Sequence, residues 1–377
     1  MSDALEDRPL RVVVCGTTFG QVYLQGLGAG CPELELVGIL GHGSERTRRC
    51  GGLYGVPVYT DPAELPDEVD AACVVVRAGL LGGAGAELAQ TLMGRGIHVL
   101  QEHPLHHDEL AACLRVARQA GVVYALNSFY PQVEPVRRFL AATRELIDGD
   151  RPVYVDASCG FQLAFSLLDI LGRALGRVRP WSLIPAVGGS ARAPFRSLDG
   201  EVGGVPATLR IQNEMDPGDP DNHAHLDHRI TIGTDGGNLT LLSTHGPIVL
   251  SQRPRYPHAP RDPGSLPHFD GHEVAEPPSA TVLGAPAAPG YAEIFRALWP
   301  PAVRGALLEL REAIITGEGW RQRGQHHLSV CLLWQDIAAR LGPPELIRRA
   351  TPAPLSADRL AAIVHAGGEL EPAGRGA

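Results

Sequence analysis

Not one of the 377 residues is lysine: all 33 basic side chains are arginine. A reaction that needs an uncharged lysine amine, such as Schiff-base formation, therefore has no residue to carry it. Together with 45 glycines and 32 prolines, the lack of lysine points to mutational bias in a GC-rich genome and implies nothing about thermostability. Positive charge is also the minority sign. Against 42 acidic residues it leaves a formal charge of −9, which argues against a nucleic-acid-binding surface, normally marked by net or clustered basicity. No apolar run approaches the ~18 residues of a membrane helix, and the polar leader Met1–Pro9 has no signal-peptide core. A cytoplasmic protein with no membrane association is expected. None of the seven cysteines forms a CxxC pair, and their number is odd, so buried reduced thiols are expected. Only the stretch holding His223, His225 and His228 comes near a clustered ligand set, and no metal is expected.

What is present is a packable chain, 44% hydrophobic and 20% charged, long enough for two domains of ordinary size. In its first half, short apolar runs alternate with helix-like stretches. The runs are Leu10 to Cys15, Glu35 to Leu40, Ala71 to Val76, Ile97 to Leu100 and Val122 to Leu126. Continuous rather than alternating apolarity suits strands buried on both faces. Helices are expected from Phe19, over Gly85 to Gly94, and over Asp108 to Gly121, with Asp108 as N-cap and Gly121 as C-cap. The alternation implies an α/β fold, a doubly wound parallel Rossmann sheet with right-handed crossovers. From Val153 the pattern changes to β-branched and alternating runs with an Asp235-Gly236-Gly237 turn, which predicts an α+β domain on an open antiparallel sheet. Helices are expected near Ala164 to Leu175, Tyr291 to Thr316 and His326 to Leu341. The Pro/Gly/Ala-rich stretch from Arg253 to Gly290 should be irregular, a lid or a loop. The domains read as 9–130, a nucleotide-binding Rossmann domain; 131–352, a substrate-binding and oligomerisation domain; and 353–377, a partly disordered tail.

Ligands of a doubly wound sheet lie beyond the carboxyl ends of its strands, so the residues after each run are the candidates. After the first come Gly16, Thr17, Thr18, Phe19 and Gly20, a tight turn that lets a helix N-terminus face a pyrophosphate. After the second, where an NAD site places an acid, the chain reads Gly41-His42-Gly43-Ser44-Glu45-Arg46. The Ser44 hydroxyl and Arg46 guanidinium suit a 2′-phosphate and favour NADPH over NADH. Arg48 and Arg49 read as a solvated helix start. After the fourth run stand Gln101-Glu102-His103-Pro104, and after the fifth Asn127-Ser128-Phe129-Tyr130-Pro131. His103 and Tyr130 are side chains able to supply a proton; the plainer alternative is a turn residue before proline and a half-buried packing aromatic.

This layout resembles the glucose-fructose oxidoreductase and inositol dehydrogenase (Gfo/Idh/MocA) superfamily, with Glu102-His103-Pro104 where that superfamily has Glu-Lys-Pro. Several segments resemble, more narrowly, the thiazolinyl imine reductases of yersiniabactin- and pyochelin-type siderophore biosynthesis. They are the Gly16 to Gly20 turn with Tyr23-Leu24, Gly43-Ser44 with Arg46, Val75-Val76-Arg77, Gln101 to His106, Phe129-Tyr130-Pro131, Leu168-Asp169, Asp216 to Asp221, and His228-Arg229. The resemblance implies NADPH-driven reduction of a thiazoline C=N to a thiazolidine on an intermediate tethered to a carrier-protein domain of a nonribosomal peptide synthetase. It adds Arg77 and Glu102 to the cofactor-binding residues, makes His103 and Tyr130 the candidate acids beside bound water, and implies a homo-oligomer such as a homodimer. Sugar dehydrogenases of the superfamily carry a catalytic His four residues after the Asp that corresponds to Asp169. Here Arg173 holds that place, which disfavours a sugar alcohol and leaves Asp169 a local pairing role. Two further readings stay open: a reductase of another C=N or C=O substrate, and a non-catalytic NADP-binding regulator.

Overall fold

The computed structural model describes residues 3–76, 83–187, 193–219, 222–254, 277–348 and 354–368. After a short helix α1 (Asp3–Glu6), the first half runs β1 (Leu10–Cys15), α2 (Gly20–Gly28), β2 (Leu34–Leu40), α3 (Glu45–Tyr54), β3 (Val58–Tyr59), β4 (Ala71–Val74), α4 (Ala84–Gly94), β5 (His98–Glu102), α5 (His107–Ala120) and β6 (Tyr124–Asn127). The strands form one sheet in the order β3-β2-β1-β4-β5-β6, every neighbouring pair parallel. Strand order therefore reverses beside β1, the switch point of a doubly wound sheet. Val12, Val13 and Val14 are fully buried because β1 is central and covered on both faces, which is why the run shows no alternation.

Three local expectations change. The strand expected to end at Leu100 continues through Gln101 and Glu102, which pair with Val74 and Asn127, so these two residues belong to the sheet. The N-cap of α5 is His106 rather than Asp108, because the Glu109 carboxylate reaches back to accept from the His106 N–H at 3.2 Å. Gly121 does cap the other end, in the left-handed region. Strand β3 went unforeseen: two residues are too few to show a period.

The second half runs α6 (Glu134–Asp148), β7 (Pro152–Gly160), α7 (Ala164–Ala174), β8 (Trp181–Pro185), β9 (Phe195–Val202), β10 (Val205–Gln212), β11 (Glu214–Met215), β12 (His228–Thr234), β13 (Gly237–Leu241), β14 (Ile248–Gln252), β15 (Ala280–Leu283), α8 (Tyr291–Glu293), a π-helical turn (Ile294–Leu298), α9 (Trp299–Thr316), α10 (Trp320–Leu341), β16 (Glu345–Leu346) and α11 (Ala357–Gly368). Eight of these strands make a second sheet, ordered β15-β14-β13-β12-β7-β10-β9-β8. It is antiparallel throughout except at its centre, where β7 and β10 are parallel. In β10, Val205, Ala207, Leu209 and Ile211 are buried while Pro206 and Arg210 are exposed, the period-two signature of a sheet with one wet face. The stretch expected to be irregular from 253 to 290 contains β15, an edge strand in register with β14 (Val249 opposite Val282); residues 255–276 lie outside the described residues.

Helices α9 and α10 pack back against the first sheet's helices. Gly26 of α2 lies so close to Val303 of α9 that an added Cβ would stand 2.9 Å from the valine Cβ, and Gly324 of α10 sits against Leu114 of α5. Among the described residues, no helix is long and apolar enough to cross a membrane.

Candidate active site

The turn after β1 is shaped by Gly16. Its φ is +95°, and a Cβ there would lie 2.5 Å from the Val75 carbonyl oxygen, so only glycine fits. Helix α2 then begins with Phe19 at its N-cap position, no capping side chain and no acid in the first turn. Its end thus presents N–H donors and a positive dipole to an anion. The turn after β2 folds onto the same place. Ser44 caps α3, its Oγ accepting from the Thr47 N–H at 3.2 Å. From the first turn of α3, Arg46 reaches across, donating through Nη2 to Thr18 Oγ1 at 3.0 Å and through Nε to Thr17 Oγ1 at 3.4 Å. Thr17 is buried and also pairs with Thr47 at 3.1 Å. Gly41, not an acid, follows β2.

The ends of β5 and β6 lie along the same edge of the parallel sheet. His103 Nδ1 lies 2.7 Å from Glu102 Oε1, and its ring stacks on Phe165 of α7 with centroids 5.5 Å apart. The other Glu102 oxygen accepts from the Tyr23 hydroxyl, which itself accepts from Asn127 Nδ2 at 2.6 Å. Burial, reinforced by the Glu102 charge, holds the Tyr23 phenol well above its usual range, so it stays a donor. The Asn127 carbonyl accepts from the Phe129 N–H at 3.1 Å. Phe129 has φ +62° and ψ −61°, and the Tyr130 N–H bonds back to the Ser128 carbonyl at 2.7 Å. This is a γ-turn, a strained conformation for a bulky residue. Phe129 is held there by burial against Phe19 and Trp299, at 5.4 and 5.1 Å. The turn lays Tyr130 edge-on to His228 at 4.9 Å. His228 is fully buried: Nε2 faces the Leu163 carbonyl at 3.3 Å and Ser166 Oγ at 2.9 Å, while Nδ1 faces Thr244 Oγ1 at 2.9 Å. Burial drives its pKa to about 3, so it is a neutral support for Tyr130, while His223 bonds the Glu214 carbonyl.

Asp169 is fully buried one turn beyond Phe165. Burial alone would raise its pKa, but Arg173, His327 and His326 overcome that and hold it well below the usual range. Oδ1 takes Arg173 Nε at 3.0 Å and His326 Nε2 at 2.7 Å, and Oδ2 takes the Ser128 hydroxyl. Asp169, His326 and His327 present three ligand-type atoms within 4.8 Å of one another, but the Arg173 guanidinium already occupies the carboxylate and opposes a cation there. The expected local pairing of Asp169 is present and extends to α10.

Of the residues singled out from sequence, Gly16, Thr17, Thr18, Phe19 and Gly20 lie at one sheet end with Ser44 and Arg46. Phe19 against Phe129 and Tyr23 against Glu102 join that group to His103 and Tyr130. Arg77 lies outside the described residues. The structure adds Asn127, Phe165 and Thr47, and gives Tyr23 contacts that only the resemblance had brought to notice; Asn127 was signalled by its place at a strand end, the others by nothing local.

Comparison with known proteins bears on the two domains. Residues 10–128 match the family described as oxidoreductase family, NAD-binding Rossmann fold, and residues 150–251 match thiazolinyl imine reductase Irp3-like, C-terminal. No match is found among curated proteins. Similar solved structures include an oxidoreductase from Agrobacterium radiobacter in complex with NAD+, L-tartaric acid and magnesium, at 13% identity over 88% of this chain and 97% of that one, with a TM-score of 0.65. A 3-ketoreductase from Actinomadura kijaniata in complex with NADP matches at 18% identity over 90% and 100%, with a TM-score of 0.62. A UDP-N-acetylglucosamine 3-dehydrogenase from Acidithiobacillus ferrooxidans matches at 15% over 88% and 97%, with a TM-score of 0.60. At these identities the solved structures bear on the fold. The chain thus joins a Gfo/Idh/MocA-type Rossmann domain, over residues 10–128, to an Irp3-like thiazolinyl imine reductase C-terminal domain, over residues 150–251.

Proposed function

We propose that this protein is an NADPH-dependent reductase of a thiazoline C=N bond, acting on an intermediate presented by a carrier-protein domain of a peptide synthetase. The observation that carries the reading is His103: a histidine at the carboxyl end of β5, its Nδ1 tied to a buried carboxylate, in the crevice that faces the Gly16 turn. Held by the Gly16 turn, Ser44 and Arg46, reduced nicotinamide would supply a hydride for the imine carbon. The chain must then supply or relay one proton to the ring nitrogen, converting C=N to CH–NH with oxidation of the cofactor. With Nδ1 engaged, His103 has Nε2 left for that transfer; Tyr130, placed by the γ-turn, is the second donor. The Irp3-like match supports the substrate class. Assaying NADPH oxidation with a synthetic thiazolinyl thioester tests it: turnover is expected, and NADPH binding without turnover favours the regulatory reading.

The phosphorylated cofactor is supported by Arg46 and by the lack of an acid at Gly41. A charged hydrogen bond contributes ~1.5–3 kcal/mol, so Arg46→Ala is expected to weaken NADPH binding about ten- to a hundredfold while NADH binding changes little. Fluorescence titration with both cofactors measures this, and equal losses for the two contradict 2′-phosphate recognition.

A further inference from the structure

We infer that Tyr23, Glu102 and Asn127 form the positioning device for His103, fixing the proton of its neutral ring on Nδ1 and leaving Nε2 as the nitrogen that exchanges protons in the crevice. The inference rests on the proposed reduction only for its use in catalysis; the device itself is read from the contacts. Glu102 is buried, and both its oxygens are held by protein groups: Oε1 by His103 Nδ1 at 2.7 Å, Oε2 by the Tyr23 hydroxyl and, at 3.5 Å, by Asn127 Nδ2. A buried carboxylate with a protein donor on each oxygen orients what it holds, as an orienting acid does for a catalytic histidine.

The donors are arranged in one direction. Phe129 N–H donates to Asn127 Oδ1, which fixes the amide so that Nδ2 points at Tyr23 Oη. With that hydroxyl's lone pair taken, its proton goes to Glu102, and Glu102, offered a donor on each side, accepts from His103 Nδ1. The chain of bonds thus starts at the γ-turn that places Tyr130 and ends at His103, so one network sets both candidate proton donors. The ends of β5 and β6 and helix α2 converge on it, and Phe165 stacks on the imidazole to fix its plane. Of the groups around the ring, Glu102 carries the compensating charge, Tyr23 stays protonated, and His228 from β12 stays neutral.

The test uses the full chain labelled with 15N-histidine, with and without NADP+, the His103 resonance identified by its loss in His103→Asn. In the unsubstituted protein the neutral ring should carry its proton on Nδ1; an Nε2–H signature overturns the inference and needs no further variant to fold. Glu102→Gln keeps the shape and removes the charge. It should lower the His103 titration midpoint by a unit or more, tenfold in proton affinity, and an unmoved midpoint also overturns it. The pH dependence of kcat for thiazoline reduction then separates the two proposals. If the NMR midpoint moves and the rate profile does not follow, the positioning device stands and His103 is not the acid of the reaction.

Discussion

At Gly16 a single hydrogen in place of a methyl group decides whether two loops can meet. The left-handed φ and the 2.5 Å approach to the Val75 carbonyl mean that Gly16→Ala must shift either the turn or the end of β4. Positive-φ strain together with backbone overlap costs about 1–3 kcal/mol. Gly16→Ala should therefore lower the urea midpoint and weaken NADPH binding together; a variant with the parent's midpoint and affinity contradicts the crowding. Gly16 is legible in sequence because a glycine straight after a buried β-branched run has few other uses. His103 and Tyr130 are legible because they follow strands. Tyr23 is not: inside α2 it sits at a helical spacing from Phe19 and Leu27 and reads as an ordinary core aromatic. Only strand order, which brings the start of α2 beside the ends of β5 and β6, turns it into a donor to Glu102. Asn127 can be seen as a strand-end residue, but its amide's two partners, one on α2 and one in its own loop, depend on packing that no local pattern encodes.

Helices α7 and α10 are joined by a charge rather than by apolar surface alone. Asp169 meets Arg173 one turn away and His326 across the helix pair, and Gly172 lets the helices close, since a Cβ there would stand 2.6 Å from His326. Removing one member of a buried ion pair leaves the others uncompensated. Asp169→Asn should cost about 3 kcal/mol, the low end of the range for such a break, because the Arg173 side chain keeps 28% of its exposure and can turn to water. Denaturant unfolding measures it, and an unchanged midpoint means the cluster contributes nothing net. The elements legible beforehand are those whose burial is one-sided or complete: β1, β2, β4, β5 and β6 in the first sheet, β7, β10, β12 and β13 in the second, and helices α2, α4, α5, α7, α9 and α10. Strand β9 is hidden because only Leu198 and Val202 of its eight residues are buried, too few to show alternation. Helix α6 starts at Glu134-Pro135 with arginines on its outer side and buries a narrow stripe of Val136, Phe139 and Leu140. The parallel β7–β10 pair is invisible to any local rule, since direction is set by the path of the chain between the two strands.

At the scale of the whole molecule, neutral histidines are built into the joins between elements. His98 accepts from the Val123 N–H at 2.8 Å where β5 meets β6. His228 ties β12 to the start of α7. His245 accepts from the Trp299 indole at 3.2 Å and so ties the β13–β14 connection to α9. Burial lowers all three, to about 4 for His98, about 3 for His228 and about 4 for His245. The unfolded chain binds a proton at each near pH 6.5, while the folded chain resists until near pH 4 or below. Stability from these groups is therefore complete above pH 6.5 and falls as the pH drops through that window, by about 1.4 kcal/mol per pH unit for each histidine. Asp169 works in a different range: its folded value lies below the unfolded one, so its contribution persists until the pH falls below about 4. Urea midpoints should hold from pH 7.5 to about 6.5 and decline from there to pH 4.5, and a variant with His245 replaced by asparagine should decline less steeply than the parent. A flat profile across that interval would mean that these imidazoles take up protons in the folded state and that the joins they make are open to water.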